Sequence, residues 1–195
     1  MSRIKKRFSV LICLIVVLSM VSYAFAYIPP GVTSSNLYAL YVTQEKSNWC
    51  WVASAQNATI QEGCNTNNQY NVVYILKGQT PDFYPNVTGT INDTEAAAEL
   101  MCNDALNYVV SGQKTYAFLS DKIYNGHSVI AGCIYSQNGN TYGHIVLLMG
   151  WYISNGTQYL KYFDPANGLY YTVTYSGLCD GTFNGYQYVQ SCYVN

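Results

Sequence analysis

The chain has 195 residues, 50% of them hydrophobic and only 10% charged, which suits one domain with a real core. Of its nine basic residues four lie at the very start, so the stretch after residue 26 (195 − 26 = 169 residues) holds five Lys and no Arg against ten acidic residues, a formal −5. That balance argues against nucleic acid, whose phosphates require a basic surface.

Residues 1–26 read as a secretory signal peptide, with Arg3, Lys5, Lys6 and Arg7 ahead of an apolar run from Phe8 to about Val21 and an Ala24-Phe25-Ala26 cleavage site. The run is shorter than the roughly 20 residues a spanning helix needs, so the expectation is a secreted chain without a membrane anchor. Residues 27–195 are then a single domain. The chain's 21 tyrosines, with frequent Asn and Gly, suit an extracellular, turn-rich β surface.

Tyr27 to Thr43 has no clear period and reads as an extended lead-in. The first helix is expected to start near Ser47 or Asn48, either of which can cap it, and to run to about Glu62 with Gly63 beyond. A second, short helix is predicted over Asn68 to Lys77. After the loop GQTPDFYPNVTG a third is predicted over Asp93 to Ser111, because Asn92 and Glu95 have capping-box spacing and Gly112 stands at the exit. Thr115 to Asn125 adds a last helical turn or two.

From His127 onward the segments HSVIAGCIYS, YGHIVLLMGWYI, TQYLKYFD, LYYTVTY and YQYVQSCYV are rich in branched and aromatic residues and read as antiparallel hairpins. Ile145 to Met149 is apolar at every position, so its strand is expected to be central. Helices first and sheet second make the class α+β.

Cys50 falls in the first turn of the first helix, where unsatisfied N–H groups and the helix dipole favour a thiolate. Singly, each candidate has a plain reading: Cys50 a buried or bridged thiol, Gln44 a solvated amide, His144 a core histidine, Asp164 an Asp-Pro turn opener. As an ordered set, Gln44-x5-Cys50-Trp51, then Gly143-His144 entering an apolar strand, then Asp164 on the next strand, they resemble the papain-like cysteine peptidases. The resemblance spans Gln44 to Asp164 and is nearest to the compact bacterial C39-like and AvrRpt2-like branch. Cys50 is preceded by SNW instead of C-G-[SA], and His144 follows it by 144 − 50 = 94 positions instead of roughly 130 to 150.

The resemblance implies a papain-like fold, a helical half carrying Cys50 packed on an antiparallel sheet. It also implies roles. Cys50 attacks the amide carbonyl, His144 is base and then acid, Asp164 orients the imidazole, and the Gln44 amide and Cys50 N–H receive the oxyanion. The expected partner is a peptide or protein substrate of a monomeric enzyme, with no cofactor. Two histidines without a Cys or carboxylate cluster give no metal site. Transfer of the acyl group to an amine, as in a transglutaminase or cyclase, and a non-catalytic peptide- or carbohydrate-binding module remain alternatives.

The strand reading carries a geometric expectation. A hairpin turning at SNGT would bring His144 beside Asp164, place the Cys50 sulfur within about 3 to 4.5 Å of the nearer ring nitrogen, and leave Gln44 pointing into the same cleft. Trp51 is expected to pack the helix on the sheet, and His127 to be structural or solvated. Two disulfides would brace separate regions, Cys64 with Cys102 and Cys179 with Cys192, leaving Cys133 as a buried thiol.

Overall fold

The computed structural model describes residues 32–78, 84–182 and 185–195; the expected signal peptide lies outside the described residues. In chain order the elements are β1 (Ser34–Asn36), α1 (Cys50–Gln61), α2 (Gln69–Lys77), α3 (Ile91–Met101), β2 (Tyr108–Gly112), α4 (Tyr116–Tyr124), β3 (Val129–Gln137), β4 (Asn140–Ser154), β5 (Thr157–Asp164), β6 (Leu169–Thr174), α5 (Tyr175–Asp180) and β7 (Gln187–Val194). Helices gather in the first half and antiparallel strands in the second, an α+β arrangement. None of the helices among the described residues is long and apolar enough to cross a membrane.

Local chemistry sets most of the boundaries. The Asn68 side chain accepts from the Asn71 N–H at 2.9 Å to open α2, and Gly78 closes it in the left-handed region at φ 66°. At α3 the capping box is Thr90 with Asp93, two residues ahead of the expected Asn92 and Glu95 pair. The same helix ends at Met101 and does not continue to Ser111. Asn103 and Asp104 turn the chain with φ 51° and 56°, and Tyr108–Gly112 becomes a strand because β-branched Val109 and Val110 find a partner in β7.

The sheet runs β2-β7-β3-β4-β5-β6, with β1 pairing β4 as well. Two tight hairpins fix its centre: Asn138-Gly139 and Asn155-Gly156 both have positive φ at the two turn residues, the conformation that Asn-Gly tolerates best. The last two predicted strands do not pair with each other. Helix α5 intervenes, and β7 inserts between β2 and β3.

Strand β4 is central, and its alternating side chains serve two cores. Ile145 and Leu147 join Trp51, Val52, Ala98 and Met101 on the helical side, while Val146 and Leu148 join Leu119, Leu160 and Tyr188 on the other. This is why Ile145 to Met149 shows no polar alternation. Each fully buried Leu there contributes about 1.5–3 kcal/mol relative to exposure.

The two cores also decide the cysteines. Cys64 and Cys102 are bridged, joining the ends of α1 and α3. Cys179 and Cys192 are both unbridged, contrary to expectation, because Cys192 faces the helical core and Cys179 packs against the other one, across the sheet. Cys133 is a buried thiol, as the sequence suggests.

Candidate active site

Cys50 is the first residue of α1 and is only half-buried. The preceding residue, Trp49, is the N-cap, with no side-chain cap bond, so neither Ser47 nor Asn48 plays the expected capping part. Their side chains turn to Asn86 instead: Asn48 Nδ2 donates to its carbonyl at 2.9 Å, and Asn86 Nδ2 donates to Ser47 Oγ at 2.8 Å. Trp49 and Trp51 are fully buried, and their indole N–H groups donate to the carbonyls of Pro85 and Val87 at 3.0 and 3.2 Å. Trp51 thus packs between the core and the 84–89 segment, which fixes the direction of the helix beneath Cys50.

His144 enters from β4 and Asp164 from the end of β5. The hairpin at Asn155-Gly156 sets Leu147 against Phe163 and Leu148 against Tyr162, so the two polar residues emerge at the same end of the strand pair. His144 Nε2 donates to Asp164 Oδ1 at 2.8 Å, and both side chains are more than nine-tenths buried. Asp164 Oδ1 also accepts the Ala166 N–H at 2.9 Å, which ties the carboxylate to its own turn. With Nε2 committed to Asp164, Nδ1 is the ring nitrogen left free of that bond, and Cys50 and His144 line the same cavity.

Burial alone would lower the basicity of this imidazole. The Asp164 hydrogen bond and then the Cys50 hydrogen bond and charge outweigh it and raise the His144 pKa to about 9. The neighbouring thiols differ. Burial pushes Cys133 and Cys192 up to about 12, and burial also raises Cys179 in spite of its bond to Tyr175.

Cys50 and His144 face a cavity of about 520 Å³ whose other walls include Ser47, Thr88, Tyr142 and Gln190. A hollow of similar size, about 550 Å³, lies between Leu37–Tyr41 and β6, but its lining holds neither Cys50 nor His144. Gln44 does not line the cleft as expected. Its Nε2 donates to the Ser47 carbonyl at 2.7 Å, and its own N–H donates to the Pro165 carbonyl at 2.9 Å. It therefore links the turn ahead of Cys50 to the turn that follows Asp164.

His127 bonds Glu62 through Nδ1 at 2.9 Å, at the far end of α1 from Cys50. That is a structural pairing. No group of side chains able to hold a metal occurs among the described residues.

Two residues near the site escaped the sequence reading. The Tyr186 ring lies 5.1 Å from the His144 ring, tilted by 38°, and covers the imidazole; burial and then the Asp164 charge raise its own hydroxyl to about 12. Ser54, one turn beyond Cys50, donates to the Ile145 carbonyl at 3.0 Å. Its i+4 spacing from Cys50 was the available signal, since i and i+4 share a helix face. Tyr186 had none, being one tyrosine among many in a loop.

At the level of sequence, no family model matches the chain and no curated protein is significantly similar to it. Solved structures do match. Digestive procathepsin L 3 from the larval midgut of Tenebrio molitor superposes with a TM-score of 0.55 at 14% identity, over 86% of this chain and 71% of that one. The fold is papain-like. A structure concerning the mite allergens Blo t 1 and Der p 1 matches with a TM-score of 0.57 at 14% identity, covering 90% of this chain and 73% of that one. Procathepsin B S9 of Trypanosoma congolense gives 0.50 at 9% identity, over 77% and 70% of the two chains. At such identities the likeness is one of fold.

Proposed function

We propose that the protein is a secreted papain-like cysteine peptidase of the compact bacterial branch, its mature domain being residues 27–195. One observation carries this reading: His144 is bonded through Nε2 to buried Asp164, and it shares the lining of one cleft with Cys50 at the start of α1. A core histidine needs a partner, but not a half-buried thiol on its other side. The motif spacing that separates the chain from the cathepsins supports the compact branch, and the terminal basic–apolar–AFA pattern supports secretion.

In the reaction, Cys50 gives its proton to His144 and its sulfur bonds the scissile carbonyl carbon while the C=O electron pair moves onto oxygen. Collapse re-forms C=O and breaks the C–N bond, and His144 delivers its proton to the departing amine. Water activated by the same imidazole then releases the acid from the thioester. The Cys50 N–H at the start of α1 receives the oxyanion, while Gln44, outside the cleft lining with its Nε2 on the Ser47 carbonyl, supports the turn ahead of the nucleophile.

The test is covalent trapping. Incubated with a peptidyl thiol-directed inhibitor, the mature chain is expected to carry one adduct, at Cys50, and the untreated chain is expected to cleave a fluorogenic peptide, with both lost in Cys50→Ser. Modification at Cys179 instead, or no cleavage of any peptide in a mixed library, would reject a peptidase. Amide products in the presence of an added amine would assign acyl transfer to the same thioester.

A further inference from the structure

We propose that Asn86 is a positioning residue for the nucleophile: it holds the Ser47–Asn48 turn so that α1 opens uncapped at Cys50. The proposal rests on the peptidase reading of the same cleft. Four successive carbonyls, those of residues 84 to 87, are each taken by a side chain from the stretch around the nucleophile: Lys46, Trp49, Asn48 and Trp51 in that order. The segment is thus bound along its backbone like a strap across the front of α1.

Asn86 adds two bonds of its own. Its Oδ1 accepts the Asn48 backbone N–H at 2.9 Å, and its Nδ2 donates to Ser47 Oγ at 2.8 Å. Together with the Asn48 Nδ2 bond to its carbonyl, this gives a three-point clamp on the two residues ahead of Trp49. Ser and Asn in these positions are the residue types that would otherwise turn inward and cap the helix. Clamped outward, they leave the N-terminal end of α1 without a side-chain acceptor, and Trp49 enters the helix at φ −100° and ψ 21°.

The consequence is chemical. A side-chain oxygen on the first-turn N–H groups would compete with the two anions that catalysis creates there, the Cys50 thiolate and the carbonyl oxyanion. Asn86 keeps that place open. It touches neither substrate nor thiol, and acts only through the turn it holds.

The experiment compares wild type with Asn86→Ala and the milder Ser47→Ala, following Cys50 alkylation by iodoacetamide from pH 5 to 9, kcat and KM on a peptide, and thermal unfolding. In Asn86→Ala, kcat is expected to fall about tenfold with KM within about threefold, because the lost interaction acts in the transition state. Alkylation should weaken more at pH 6 than at pH 9, a pattern that general loosening of the fold does not produce. An unchanged alkylation profile overturns the proposal, even if the melting temperature drops. Should Asn86→Ala fail to fold, Ser47→Ala decides by the same profile, with a smaller shift in the same direction expected and no shift overturning it. If no peptide is cleaved by wild type, the peptidase reading fails while the alkylation profile still judges the clamp.

Discussion

Ser54 donates its hydroxyl to the Ile145 carbonyl at 3.0 Å, and so joins the helix that opens at Cys50 to the strand of His144 one residue past the histidine itself. Ser54 is fully buried. The apolar contacts of Val52, Ala55 and Leu147 around it are driven by a non-directional force, so the hydroxyl bond adds a directional one. A directional bond between helix and strand sets how far Cys50 stands from the imidazole.

Ser54→Ala should therefore cost more in rate than in fold. A neutral hydrogen bond contributes about 0.5–1.5 kcal/mol net, so the denaturation midpoint should shift modestly. Turnover is expected to fall about tenfold or more at nearly constant KM, since small misplacements of reacting groups are expensive. Equal losses in kcat and stability, or none in kcat, would show that the bond does not register the two halves.

The pH dependence follows from His144. Its pKa in the folded chain, about 9, lies above its ordinary 6.5. The stability it contributes is then fully present below about pH 6.5 and is lost as pH rises through 9. Activity that needs the imidazolium as acid for the leaving amine should decline over the same upper limb. Asp164→Asn removes a carboxylate that raises this pKa, so both limbs should move to lower pH, as measured by kcat/KM and by chemical denaturation between pH 6 and 10. A limb that stays in place would mean that another group controls it.

How far the sequence foretells all this depends on the range over which each feature is decided. The Asn138-Gly139 and Asn155-Gly156 turns were readable because positive φ at two adjacent residues is a local demand that few dipeptides meet. The pairing of His144 with Asp164 was readable because the hairpin between their strands brings the two ends together, and Cys50 could be placed in the first turn of a helix from the pattern that follows it. The helix start was not: Ser47 and Asn48 are good caps locally, but Asn86, 86 − 48 = 38 positions away, takes their side chains. Likewise Tyr108–Gly112 takes its state from β7 at the other end of the chain, and the Ala-rich pattern before it gave no warning.

The disulfide offers a direct measure of how the helical half is held. Cys64 and Cys102 lie 38 residues apart, and closing a loop of that size restricts the unfolded chain by about 4 kcal/mol. The Cys64→Ala, Cys102→Ala double variant is expected to lose stability on that scale and to melt at a clearly lower temperature. Peptide mapping of the unreduced wild type should find Cys179 and Cys192 each alkylatable after denaturation. Recovery of a Cys179–Cys192 peptide would contradict the separation of the two cores.

Gly89 tests the strap from its inner side. A Cβ at this position would overlap three atoms of the Trp51 indole. That ring cannot withdraw easily: it is fully buried, its N–H is bonded to Val87, and the Lys77 ammonium lies 5.1 Å from the centre of its face. Gly89→Ala should thus push the 84–90 segment off α1 at a cost of about 1–3 kcal/mol, the range for overpacking a closed core. Because Thr88, Gly89 and Thr90 also line the cleft, KM for peptides is expected to rise along with the loss of stability. A double-mutant cycle with Trp51→Phe separates this from a simple change in backbone entropy. The smaller ring leaves room for the methyl group, so the Gly89→Ala cost should shrink on that background, whereas strictly additive costs would exclude a steric clash between the two residues.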